Sequence, residues 1–176
     1  MKKLLIAIIA VLTVGLTSCG GSKGVSKADR DTFTWQYEVE PAVGQGSQGN
    51  AIIKVWTYSK DSNTAISQAQ KNAVHAILFK GYSGSTDGSR IKGQKPLIED
   101  PNAWKANEEF FKDFFKDGGR YMNYVSMTGN GAIQPGDRIK VGKQYKIGVV
   151  VIVQKDRLRK DLEKEGIIKA LGNNIF

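Results

Sequence analysis

The sequence predicts an α+β fold, a mainly antiparallel sheet of about four to five strands with helices packed on one face. Strand-like patterns come as neighbouring pairs, at 33–41 with 51–58 and at 121–128 with 138–154. Helical periodicity falls between the pairs, over 64–80 and 100–117, and returns after 156. Within 138–154, Ile147, Val149, Val151 and Val153 line one face while Val150 and Ile152 line the other, as in a central strand. No internal repeat is visible.

Phe33, Trp35, Tyr37 and Val39 alternate with Thr34, Gln36, Glu38 and Glu40, which predicts a strand with one wet face, closed by Pro41. Gly44-Gln45-Gly46-Ser47-Gln48-Gly49 then matches G-x-G-x-x-G. That motif holds pyrophosphate only where a helix follows it. Here Ala51 to Tyr58 follows, rich in β-branched and aromatic residues, so the glycines read as a hairpin connection.

Asp61, Ser62 or Asn63 can cap a helix running from about Thr64 to Lys80 and ending at Gly81. Ile66, Ala69, Ala73 and Ile77 share one stripe at ~100° per residue, flanked by Ala65, Val74 and Ala76. Small residues there let the helix lie close against a sheet. His75, the only histidine, projects roughly opposite the stripe and is expected to face solvent.

Residues 82–99 are Gly/Ser-rich, then basic at Arg90, Lys92 and Lys95, and form a long loop of the kind that often carries function. These three cations are the candidate ligand-binding residues. The loop lacks a G-K-[ST] ending, so a P-loop is not supported. Asp100-Pro101 starts the next helix, with an acid at the N-cap and proline at the first helical position. Ala103, Trp104, Phe110, Phe111, Phe114 and Phe115 give it a broad apolar face, expected to be core, and Gly118-Gly119 ends it. Its charged residues read as a solvated face, with Glu108 and Lys112 spaced to pair.

Tyr121 to Thr128 reads as a strand, and Gly129 to Gly136 as a turn region. Within Arg138 to Gln154, Gly142 permits either a bulge or a turn. A last helix begins near Asp156, with Leu158 and Leu162 inward and Gly166 at its end. Ile167, Ile168, Leu171, Ile175 and Phe176 are expected to pack back onto the domain.

Ahead of this domain, Lys2 and Lys3 precede an apolar run from Leu4 to Leu16, the pattern of a secretory signal. Leu16-Thr17-Ser18-Cys19 closes the run and resembles a bacterial lipobox, an aliphatic residue, two small residues and a cysteine. The resemblance implies cleavage between Ser18 and Cys19 by signal peptidase II and acylation of Cys19. Two buried chains already anchor a protein stably, at about 0.8 kcal/mol per methylene. Cys19 is the single cysteine, so it has no disulfide partner, and a cysteine-based metal site is excluded. Gly20 to Asp31 is small, polar and without periodicity, a tether with an r.m.s. reach of about 20 Å. The expected organisation is therefore signal peptide 1–18, lipidated cysteine and tether 19–31, and one α+β domain over 32–176. By resemblance to enterobacterial lipoproteins, Gly20 and Gly21 in place of an aspartate imply the outer membrane. No acidic run of the surface-display kind follows, which favours the periplasmic leaflet. The paired strands and the helix with alanines at 65, 69 and 73 also resemble an LPP20-type lipoprotein domain over 33–81, implying an envelope-associated α+β module.

The formal charge of +9 becomes +7 once Lys2 and Lys3 are removed with the signal. A basic chain invites nucleic acid, but export excludes that partner and leaves lipid head groups or cell-envelope polymers. With one histidine and one cysteine, nucleophile–histidine pairs would all pass through His75, and zinc would need carboxylates. No catalytic constellation, metal site or cofactor is expected. The chain reads as a non-enzymatic, membrane-anchored lipoprotein that binds another envelope protein; the alternative is a binding module for an anionic polymer or lipid.

Overall fold

A computed structural model of the chain describes residues 35–42, 49–85 and 91–170. It has the α+β architecture read from the sequence. Strand β1 (Tyr37–Pro41) pairs antiparallel with β2 (Ala51–Ser59), and β2 with the long β5 (Gln144–Val153). The far edge of β5 is shared by two short strands, β3 (Val125–Met127) against Val151–Val153 and β4 (Arg138–Val141) against Gln144–Ile147. Every pairing is antiparallel.

Strict alternation puts Ala51, Ile53, Val55, Thr57 and Ser59 of β2 on the buried face. On β5 the same face carries Ile147, Val149, Val151 and Val153. Helix α1 (Ser62–His75) lies across that face, and Ala65, Ala69 and Ala73 on it have no solvent exposure. Their missing bulk brings backbone close enough for the Thr57 hydroxyl to donate to the Ala65 carbonyl at 3.3 Å. Asp61 is the cap, its carboxylate accepting from the Thr64 amide at 2.8 Å.

The helix continues as a π-helical turn over Ala76–Lys80 and stops at Gly81. At Gly81 the backbone is left-handed, φ +67°, and an added Cβ would fall 2.3 Å from the Gln94 carbonyl oxygen, so only glycine fits. A second helical layer, α2 (Ala103–Ala106) and α3 (Glu108–Phe114), covers the end of α1, and α4 (Lys155–Lys164) packs beside Tyr124. Phe111, Phe114 and Phe115 are buried, as expected of core residues. Leu158 and Leu162 fix α4, whose Asp161 accepts from the Tyr124 hydroxyl at 3.0 Å.

The structure differs from the sequence expectations in several elements. The first strand starts at Tyr37, because Trp35 has left the extended region with φ 51°; Phe33 lies outside the described residues. The helix expected to run unbroken from Asp100 is split at Asn107, whose backbone is non-helical and whose side-chain amide donates to the Ala103 carbonyl at 3.0 Å. Asp100 makes a turn instead of the helix N-cap, its carboxylate accepting from the Asn102 amide at 2.8 Å. The first half of the strand expected over 121–128 is a 3₁₀ turn, Arg120–Tyr124, and only Val125–Met127 is extended as a strand. Tyr121 and Tyr124 are each only 4 % exposed, and a spacing of three puts both inward only when the chain is helical. At Gly142, φ +60° makes a hairpin turn between β4 and β5. Ile167 and Ile168 do pack against the core, whereas Leu171, Ile175 and Phe176 lie outside the described residues.

On the sheet's other face the Trp56 indole lies flat against Gly148, where an added Cβ would meet the ring at 2.9 Å. Gly148→Ala should therefore cost about 1–3 kcal/mol in urea unfolding by displacing the indole. In a Trp56→Ala background the same substitution should cost little, and an unchanged cost there would refute the contact.

Candidate functional site

A cluster of aromatic and polar side chains forms where the end of α1 meets α2 and α3. A pocket of about 530 Å³ opens there, lined by Trp35, His75, Phe79, Trp104, Glu108 and Lys112. Each wall has a local cause. The spacing of four along α1 and into its π-helical turn sets His75 and Phe79 side by side, ring centroids 5.0 Å apart. The break at Asn107 lets Trp104 stack on Phe111, interplanar angle 12° at 5.2 Å, and on Phe115, 19° at 5.8 Å. Trp35 stacks on the His75 ring at 3.7 Å and 15°. It meets Trp104 edge-on at 5.7 Å and 74°.

Trp35 holds this position in a left-handed backbone, alone among the described non-glycine residues. For a bulky residue that conformation costs about 1–3 kcal/mol and persists only where the surroundings over-determine it. The stack on His75 and the contact with Phe115, 5.1 Å and 69°, are among the contacts that hold it.

His75 is the polar group of the pocket wall. Its Nδ1 is hydrogen-bonded to the Tyr37 hydroxyl at 2.7 Å. Burial, with the Lys80 charge adding to it, pushes the imidazole down from 6.5 to about 3. Burial also pushes the Tyr37 phenol up. The histidine expected to face solvent is thus a half-buried, neutral ring between Trp35 and Tyr37. The sheet covers one side of α1 and the second helical layer covers the other, so the side opposite the alanine stripe is interior too. Above the rings, Glu108 and Lys112 pair at 2.6 Å, as their spacing foretold. That hydrogen bond, and then the lysine charge, hold the Glu108 carboxyl below its usual range.

Neutral aromatic walls under one ion pair make an apolar receptor with a polar mouth. It suits a flat or branched apolar group. A proton shuttle is poorly served, since His75 stays uncharged to about pH 3. Among the described residues no cluster of three or more His, Cys, Asp or Glu side chains is placed to hold a metal ion.

The residues singled out from the sequence fall elsewhere. Ser18, Cys19 and Arg90 lie outside the described residues. Lys92 and Lys95 are exposed on the loop after the π-helical turn and do not line the pocket. That loop is pinned on itself, with Tyr82 and Gln94 exchanging backbone hydrogen bonds of 2.9 Å, and it is tied to α1's end by Leu97 N–H to Ile77 O at 2.9 Å. Pattern reading missed Trp35, His75 and Phe79 as site residues. One signal was present: Gln68, Asn72, His75 and Phe79 form a second stripe along the helix, opposite the alanines.

No protein-family model matches this chain, and neither a curated protein nor a solved structure is significantly similar to it.

The imidazole carries a pH signature. Unfolded, it takes a proton near 6.5; folded, it stays neutral to about 3. Between those values the unfolded state binds more protons, so this group lowers stability as pH falls from 6.5 toward 3. His75→Asn should remove that contribution. In urea midpoints measured across this range, the advantage of wild type over the variant should shrink on acidification, and a constant difference would mean an ordinary, accessible histidine.

Proposed function

We propose that this chain is a non-enzymatic lipoprotein of the bacterial envelope, anchored at Cys19 in the outer membrane and facing the periplasm, whose folded domain binds another envelope protein. The observation that carries the binding half is the Trp35–His75–Phe79–Trp104 pocket, an apolar receptor of about 530 Å³ kept partly open beside a closed aromatic core. An aromatic or branched apolar side chain of a partner fits its chemistry, with Glu108 and Lys112 at the mouth to meet polar groups beside it. The strained Trp35 supports the same reading, since strain of this kind gathers at ligand clamps. The anchoring half rests on Leu16-Thr17-Ser18-Cys19 and the tether behind it. Among the described residues no helix is long and apolar enough to cross a membrane.

A second reading, binding of an anionic envelope polymer through Arg90, Lys92 and Lys95, draws support from the exposure of Lys92 and Lys95. Neither forms an ion pair among the described residues. Such binding would be screened by salt, unlike an apolar side chain in a pocket.

Metabolic labelling with a palmitate analogue tests the anchor: wild type should carry label in the membrane fraction and Cys19→Ala should not. A photo-crosslinking amino acid placed at Lys112 in living cells tests the pocket. It should give one discrete adduct that disappears with Trp104→Leu, while the same probe at Lys164, on α4, gives none. Equal adducts from both positions would remove the pocket from the reading and leave the anchor standing.

A further inference from the structure

The β4–β5 hairpin combines features that the pocket does not use. Ile139 is 48 % exposed and Val141 43 %, both on a strand with every residue exposed. Alternation puts these two on one face of β4, and Arg138 and Lys140 on the other, with Lys143 in the turn. Asp137, the one acid in the stretch 137–146, is already engaged by Lys54 at 2.8 Å. Lys146 is engaged by Glu38 at 2.7 Å. Arg138, Lys140 and Lys143 form no ion pair among the described residues. Arg138 lies over the Tyr145 ring at 4.3 Å, a contact that keeps its charge free.

Register places this hairpin at a particular end of the domain. Tyr37 pairs with Thr57, Thr57 with Ile147 and Ile147 with Arg138, so one row crosses the sheet from β1 to β4. The described chain reaches β1 at Tyr37, on the row where the hairpin begins to project. From Ile147 to Gln144 the hairpin extends about 10 Å past that row. The end of the sheet at which the described chain enters β1 is therefore also the end that carries, on its far edge, exposed aliphatic side chains among cations with no ion pair among the described residues.

We propose that the β4–β5 hairpin is a membrane-contact element: Ile139 and Val141 enter the interfacial region of a bilayer while Arg138, Lys140 and Lys143 engage the head groups of anionic phospholipids. Aliphatic tips with long cationic side chains that can extend to the interface are what such a surface takes. Charge complementarity selects anionic lipid over zwitterionic, because each lysine or arginine near an anionic surface contributes about a fivefold gain in binding. The element goes beyond the anchor. A lipid chain fixes distance from the membrane, whereas the hairpin would fix which side of the domain faces it. Only the choice of membrane rests on the Cys19 reading.

The test uses residues 19–176 with Cys19→Ala, so that no acyl chain contributes, and sedimentation with vesicles of phosphatidylcholine with or without phosphatidylglycerol. The expected result is binding to the anionic vesicles alone, weakened by salt. The triple variant Arg138→Gln/Lys140→Gln/Lys143→Gln should lose about a hundredfold in partitioning. Ile139→Ser/Val141→Ser should weaken binding at both low and high salt. Lys92→Gln/Lys95→Gln should leave it unchanged, and circular dichroism should show every variant folded. No binding, equal binding to both vesicle types, or loss through Lys92 and Lys95 with the hairpin variants unaffected would overturn the proposal. None of these outcomes touches the palmitate-labelling result for the anchor.

Discussion

Helix α1 has to be buried twice. Its alanine stripe needs the sheet, because Ala65, Ala69 and Ala73 offer little apolar area unless the whole helix lies close against β2 and β5. Its opposite side carries Lys71 and Asn72, both nearly inaccessible, and then His75 and Phe79. That side is covered by the second layer, although the buried Asn72 side-chain oxygen finds no hydrogen-bond partner among the described residues. Lys71 reaches Asp117 at 2.7 Å and passes 5.7 Å from the Tyr121 ring centroid. His75 takes the Tyr37 hydroxyl, and the α2–α3 aromatics close over the rest. The 3₁₀ turn with its inward tyrosines, the split at Asn107 and the excursion of Trp35 all shape a lid for one helix. The pocket is where that lid does not fully close.

The parts of this arrangement governed by period two or by a short-range cap were legible in the sequence. β2 alternates without interruption and β5 from Val149 to Val153, Asp61 precedes a helix of small residues, and Gly81 stands where no side chain fits. What was not legible depends on contacts distant in sequence. Tyr121, Tyr124 and Val125 favour a strand, and Val125–Met127 forms one, yet the tyrosine spacing of three serves the core better as a turn over Arg120–Tyr124. The second stripe of α1 was hidden by its chemistry. Glutamine, asparagine and histidine read as solvent-facing, and only the aromatic layer supplied from residues 104–124 makes their side interior. Trp35 was hidden as well, because alternation with Tyr37 and Val39 fits a strand and nothing local forecasts a left-handed tryptophan.

The sheet's outer face needs no second cover, and the reason bears on function. Its large rings are already partnered. Trp56 lies on Gly148, donates to Glu40 at 3.0 Å and has the Lys54 and Lys146 ammonium groups 5.4 and 5.2 Å from its ring. Tyr58 donates to Glu38 at 3.1 Å, and Glu38 also binds Lys146. Cross-strand pairs of this kind stabilise a wet sheet face by about 0.2–1 kcal/mol each. They also use up its acids, so that Glu38, Glu40 and Asp137 are all committed near β1 and β2. Arg138, Lys140 and Lys143 of the β4–β5 hairpin are left without an ion pair among the described residues, which separates a self-satisfied face from an end that is not.

Both unsatisfied features fall toward the same end of the molecule. His75 is bound to Tyr37, which opens β1 on the row where the hairpin starts, and Trp35 lies two residues before it. One side of the pocket wall, Trp35, thus comes from the segment that leads into β1. A domain held by its N-terminal side would present that row toward its support. The row from Tyr37 to Arg138 links the Tyr37–His75 contact of the pocket to the base of the hairpin. Entry into β1 at the other end of the sheet would take Trp35 and the Tyr37 hydroxyl away from His75, which makes the position of that entry, as much as any side chain, a determinant of the pocket.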